Sequence, residues 1–115
     1  MTQNTHIMKL QPGPFDRIKS GQKIIESRLY DEKRRSIQLG DEIEFQRNPD
    51  LEETIKVDVV GLLNYPMFED LMNDFAPKLF GGETKEGLLN EISEFYSIED
   101  QKEYSVLGIK IKLQK

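Results

Sequence analysis

Apolar and polar residues alternate most cleanly in two stretches of the chain. Over residues 42–47, Ile43 and Phe45 face one way while Glu42, Glu44 and Gln46 face the other, the period of a half-buried strand. Over residues 104–113, Ser105, Leu107, Ile109, Ile111 and Leu113 share one face, and Tyr104, Val106, Lys110 and Lys112 share the other. This predicts a closing strand. A third strand is expected over 54–64, where Ile55, Val57 and Val59 alternate with Lys56 and Asp58. Beyond Val59 the run is apolar through Leu63 except at Gly61, which predicts burial on both faces and a bulge or close approach at the glycine. Asn48-Pro49-Asp50 separates the first and third of these runs as a hairpin turn, and Gly40-Asp41 marks the turn before them. Two shorter strands are expected at 5–10 and 23–30.

Between these runs the period changes to that of helices. Pro14 opens a short helix, with Phe15 and Ile18 facing the core and Gly21 just past its end. Residues 33–37 form a basic loop or a single helical turn. Phe68, Leu71, Met72 and Phe75 follow the i, i+3, i+4, i+7 pattern between Pro66 and Pro77. Thr84 is an N-cap candidate for a helix whose stripe is Leu88, Leu89, Ile92, Phe95 and Tyr96. Residues 78–83, with Gly81-Gly82, are expected to be a mobile connector. About five strands, with two to four helices packed around them, predict an α+β fold built on a small mixed or antiparallel β-barrel. The expected organisation is a single domain over 1–115.

Composition narrows the chemistry. The chain has 115 residues and no cysteine, so disulfides, thiolate metal sites and thiol catalysis are excluded. His6 is the sole histidine, which argues against histidine metal clusters and Ser-His-Asp catalysis. No cofactor or metal is implied: Asp50, Glu52 and Glu53 lack the ligand spacing of a calcium loop, and Gly81-Gly82 lacks the following Lys-Ser/Thr of a phosphate loop. No apolar run approaches the ~20 residues that span a bilayer. Residues 1–10 have neither a basic n-region nor an apolar h-region, and the expected compartment is cytoplasmic. The net charge is −5, but residues 1–35 carry eight bases and four acids while the rest carries eight bases and seventeen acids. A basic end on an acidic body suggests a local anion-binding face, and the acidic whole argues against general RNA affinity.

The segment Gly21-Gln22-Lys23-Ile24-Ile25-Glu26-Ser27-Arg28 concentrates candidate chemistry. On a strand, Glu26 and Arg28 share a face and Lys23 lies on the other. A bend at Gly21 would bring Lys23 back toward the same pocket. The three charges either pair with one another as a structural ladder or converge on a ligand. In the second case Lys23 and Arg28 suit a phosphate or a carbonyl, and Glu26 suits a hydrogen-bond donor or proton transfer.

Phe15-x-x-Ile18-x-x-Gly21-x-Lys23-x-x-Glu26-x-Arg28, followed by Ile37-x-x-Gly40-Asp41-x-Ile43-x-Phe45, resembles the signature of the ASCH domain family of the PUA-like superfamily. The resemblance implies a PUA-like β-barrel with a cleft lined by Lys23, Glu26 and Arg28, entered at Gly21. It implies RNA or a nucleotide-like small molecule as partner. One subgroup of similar proteins comprises small amidohydrolases acting on N4-acylated cytidines, with a Lys, Thr and Glu pattern. There Lys23 matches the lysine, Glu26 occupies the threonine position, and Glu83 is the candidate for the glutamate. Lys23 and Glu26 would be catalytic on that reading. A third reading is a protein-interaction module with a vestigial cleft.

Three further features adjoin the motif. Lys33-Arg34-Arg35 is a basic triplet in which Arg34 and Arg35 are candidate phosphate contacts. Tyr30, Tyr65 and Tyr104 are candidate stacking platforms or half-buried packing residues, with Tyr65-Pro66 placed at a cleft mouth. Met67, Phe68, Met72 and Phe75 read as core, and His6 as a strand or surface residue.

Overall fold

The structure is a computed structural model that describes residues 3–114. Its frame is one five-stranded mixed sheet in the order β1-β3-β4-β5-β2. The strands are β1 (Thr5–Leu10), β2 (Ile25–Leu29), β3 (Glu42–Arg47), β4 (Thr54–Tyr65) and β5 (Val106–Leu113). The hairpin between β3 and β4 forms where the alternation places it, with Ile43 opposite Val57 and Phe45 opposite Ile55. β1 joins β3 in parallel, and β2 pairs antiparallel with the far side of β5.

Five helices surround the sheet: α1 (Pro12–Lys19), α2 (Glu32–Arg35), α3 (Phe68–Asp74), α4 (Lys85–Ser93) and α5 (Ile98–Tyr104). Pro12 rather than Pro14 occupies the first helical position of α1. Thr84 caps α4 by accepting from the Gly87 N–H. α5 lies just before the closing strand and takes Tyr104 from it. Its signal is Ser97-Ile98-Glu99-Asp100, a capping box in which the Ser97 and Asp100 side chains each accept from the other's backbone N–H.

The sheet divides two cores. On one face Met8, Leu10, Phe15, Ile18, Ile43, Phe45, Val57, Val59 and alternate residues of β5 pack together. On the other, Ile25, Leu29 and Val106 pack under Phe68, Leu71, Phe80 and Leu88. β5 is therefore buried on both faces along its first half, which its lysines at the far end conceal. At Gly108 a Cβ would lie 2.9 Å from Leu71, so the glycine lets α3 lie directly on the sheet.

Two expectations are corrected. The apolar end of β4 is not buried on both faces: Val60 is 54% exposed and Leu62 is exposed as well. The pairing register shifts between Val59 and Gly61, so Val60 is the extra residue of a bulge that turns it outward. Gly61 also meets the close-approach expectation, since a Cβ there would lie 2.8 Å from the Lys110 side chain. Nor are residues 78–83 a loose connector. Pro77–Phe80 is a 3-10 turn whose Phe80 is buried in the second core, and the Ile24 N–H donates to the Leu79 carbonyl.

Among the described residues, no helix is long and apolar enough to cross a membrane.

Candidate functional site

α1 ends at Lys19 with Ser20 as its C-cap, and Gly21 follows at φ +86°, the left-handed conformation that glycine adopts without strain. The Lys23 N–H then donates to the Arg17 carbonyl at 3.0 Å and folds the chain back over the helix end. β2 starts at Ile25, so Lys23 precedes the strand and strict alternation does not apply to it. Its ammonium reaches the same carboxylate as Arg28. Glu26 Oε1 lies 2.9 Å from Lys23 Nζ and accepts from the Ser27 N–H at 3.0 Å. Glu26 Oε2 accepts from Arg28 Nε at 3.1 Å and from Nη2 at 3.0 Å.

Arg28 Nη2 also donates to the Lys9 carbonyl at 3.0 Å. Lys9 is on β1 and Arg28 on β2, the two ends of the sheet. The sheet is thus curled until its edges nearly meet, a half-barrel whose seam is bridged by a guanidinium. The bridge also occupies an edge carbonyl that would otherwise be open to another strand.

Glu26 is 3% exposed. Burial opposes its charge, but the Lys23 ammonium and the Arg28 guanidinium outweigh that penalty and hold its pKa at about 2. Burial likewise disfavours the charge on Arg28, yet the Glu26 carboxylate and the Tyr96 phenol raise its pKa above the ordinary value. Glu26 and Arg28 are therefore both ionised at neutral pH. Four donors reach Glu26, which saturates its two oxygens. The cations are not saturated. Among the described residues Lys23 spends one of its three N–H groups, on Glu26, while the Arg28 guanidinium has the Tyr96 hydroxyl beside it in addition to Glu26 and the Lys9 carbonyl.

These donors line a hollow of about 220 Å³ at the seam, with Leu10 and Pro14 on one side and Phe80, Leu88 and Tyr96 on the other. Tyr96 is held by stacking on Phe68, with ring centroids 5.6 Å apart. Phe95, at the rim, is 61% exposed. A second hollow lies behind Gly21, Lys78, Gly81 and Gly82, and the two share Arg17, Leu88 and Glu91 as a common wall.

The other sequence candidates lie elsewhere. Gly21 and Glu83 line the second hollow. Arg34 pairs with Asp31 at 2.9 Å, and Arg35 lies 4.5 Å over the Tyr30 ring. The Tyr65 hydroxyl donates to Asp74, and Tyr104 packs on the second core. None of these lines the seam hollow. His6 pairs with the buried Asp41 at 2.8 Å and ties β1 to the turn before β3. No cluster of three potential metal ligands occurs among the described residues. The sequence reading missed Arg17, Glu91 and the Lys9 carbonyl. It also placed Phe95 and Tyr96 only as part of a core stripe. Nothing local marks these residues, because the hollow forms only when α4 crosses the seam.

Residues 8–113 match the ASCH domain family, and the chain belongs to it. The crystal structure of hypothetical protein PH0355 is similar, with 34% identity, TM-score 0.84, and coverage of 96% of this chain and 99% of that one. The solution structure of protein PF0455 from Pyrococcus furiosus has 30% identity and TM-score 0.71, covering 96% and 98%. The ASCH protein from Zymomonas mobilis has 13% identity and TM-score 0.57, covering 96% and 68%, a likeness of fold alone. No curated protein matches the chain.

Proposed function

We propose that this protein binds RNA or a nucleotide-like small molecule in the seam hollow, through Lys23 and Arg28. The observation that carries this reading is the pair of cations fixed by one saturated carboxylate, with unspent donors on the wall of a hollow that also has an aromatic side. Such donors suit a phosphate or a base carbonyl, and the aromatic wall suits a ring, whose stacking is worth about 1–3 kcal/mol. Glu26 is a positioning residue: with both oxygens filled it orients the cations and has no acceptor to offer a ligand.

A binding role fits the site better than amidohydrolase chemistry. A group with a pKa of about 2 is a poor proton shuttle near neutral pH, where the useful value lies close to the working pH. Glu83 lines the second hollow and not this one.

Titration of labelled protein with ribonucleosides, ribonucleotides and short single-stranded RNA, followed by NMR shifts, tests the reading. Shifts should centre on Lys23, Ser27, Arg28 and Tyr96. Lys23→Gln, which leaves Glu26 paired to Arg28, should weaken the responsive ligand about tenfold. Shifts centred elsewhere, or none with any of these ligands, would overturn it.

A further inference from the structure

Among the described residues three charged wall residues of the seam hollow, Lys9, Arg17 and Glu91, enter no ion pair; Lys9 and Glu91 are exposed, and Arg17 is the one withdrawn from solvent. It is half-buried on α1 and lines both hollows. Among the described residues its guanidinium enters no ion pair. Its backbone carbonyl, by contrast, is used twice, by the Lys23 N–H and the Ser20 hydroxyl. The stem is held in place. Gly81, at φ +85°, packs so closely that a Cβ there would lie 3.0 Å from Arg17 Cδ and 3.2 Å from Lys23 Cβ. One left-handed glycine thus lies against the stems of two neighbouring cations, of which only Lys23 has a carboxylate partner.

The charge of the wall agrees. The seam hollow is lined by Lys9, Arg17, Lys23 and Arg28 against Glu26 and Glu91, a local positive excess in a chain of net charge −5. Holding a half-buried guanidinium beside other cations costs free energy, and an anion removes that cost. The volume restricts the occupant. An apolar cavity of about 150 Å³ holds one benzene ring, and drug-sized ligands take roughly 300–1,000 Å³. At about 220 Å³ the hollow suits one ring system with little more. The adjoining second hollow, of about 840 Å³, gives whatever is attached to that ring room across the shared wall, where Arg17 stands.

We infer that Arg17 is the phosphate contact of this site, so that the seam hollow takes a phosphate-bearing nucleotide unit in preference to the bare nucleoside. The ring lies in the hollow lined by Lys23, Arg28 and Tyr96, and the phosphate lies at the junction of the two hollows. This inference rests on the proposed function and adds the ligand's charge and its contact residue. A free nucleotide and one residue of an RNA strand present the same chemistry.

The test compares each ribonucleoside with its monophosphate and with a single-stranded hexaribonucleotide, using wild type, Arg17→Gln and Arg17→Lys. Wild type should bind the nucleotide at least tenfold tighter than the nucleoside. Arg17→Gln should remove that difference by weakening the nucleotide far more than the nucleoside, while Arg17→Lys should keep part of it. A hexamer bound more tightly than the monophosphate would identify the source as RNA, and equal affinities would identify a free nucleotide. Equal binding of nucleoside and nucleotide by wild type, or equal losses of both in Arg17→Gln, would overturn the role of Arg17 while sparing the seam hollow as a site. Absence of any response at the seam would overturn both.

Discussion

The chain has two basic clusters, Lys23/Arg28 and Lys33-Arg34-Arg35, and they differ in how their charges are spent. In the second, every cation has a local use. Lys33 donates to the Ile7 carbonyl, Arg34 pairs with the helix-capping Asp31, and Arg35 covers the Tyr30 ring. Tyr30 and Asp31 adjoin the cluster's own turn, Ile7 lies on β1, and residues 33–35 do not line the seam hollow. In the first, a single buried carboxylate serves two cations, which retain donors on the wall of a cavity. Positive charge in the sequence is thus a poor guide to an anion site. Both clusters keep spare donors, the buried Arg34 Nε among them, and what separates them is that only those of Lys23 and Arg28 border the seam hollow.

Removing the shared carboxylate should give the largest contrast between the clusters. Glu26→Gln leaves Lys23 and Arg28 buried without a counter-charge and should cost about 3–5 kcal/mol, measured by denaturant unfolding. The matching change in the other cluster, Asp31→Ala, removes a cap that accepts from the Arg34 N–H at 3.1 Å. It should cost only about 1 kcal/mol and leave ligand binding untouched. Comparable losses would mean that the seam triad is no more buried in solution than the surface turn.

Acid should separate the clusters next. The folded pKa of Glu26, about 2, lies below its ordinary 4.5. Its contribution is therefore complete above pH 4.5 and is lost as pH falls toward 2, a change of about 3 kcal/mol. Unfolding free energies measured across that window should fall in wild type, and much less in Glu26→Gln. Parallel pH profiles for the two proteins would assign the acid sensitivity to other carboxylates.

A smaller effect than either of those at Glu26 sharpens the seam itself. Gly81→Ala places a Cβ against the stems of Arg17 and Lys23 in a left-handed conformation. It should cost about 1–2 kcal/mol and weaken any ligand of the seam. Unchanged binding in a folded variant would show that Gly81 holds neither cation in its working position.

Much of this architecture was legible because its causes are local. Glu42–Arg47 forms a strand with the expected inward pair because a period of two requires only adjacent residues. The Gly21 turn, the Thr84 cap and the Gly61 bulge are likewise fixed by the conformational freedom or the hydrogen bond of one residue. The capping box at Ser97 was equally legible, and overlooking it moved Tyr104 into the wrong element. The exposed Val60 was not legible, since apolar character reports a tendency to bury and not which face a bulge will turn outward.

Local sequence determined the strands, the turns and the presence of a Lys-Glu-Arg group beside a glycine bend. Tertiary structure alone decided that β1 and β2, at opposite ends of the sheet, meet through Arg28 and the Lys9 carbonyl. It also decided that α4 covers their seam, and that Arg17 is left there without a partner while Arg34 is not. The reason is physical: propensity and periodicity act over a few residues, whereas closing a sheet depends on its accumulated twist and on how two separate cores fill.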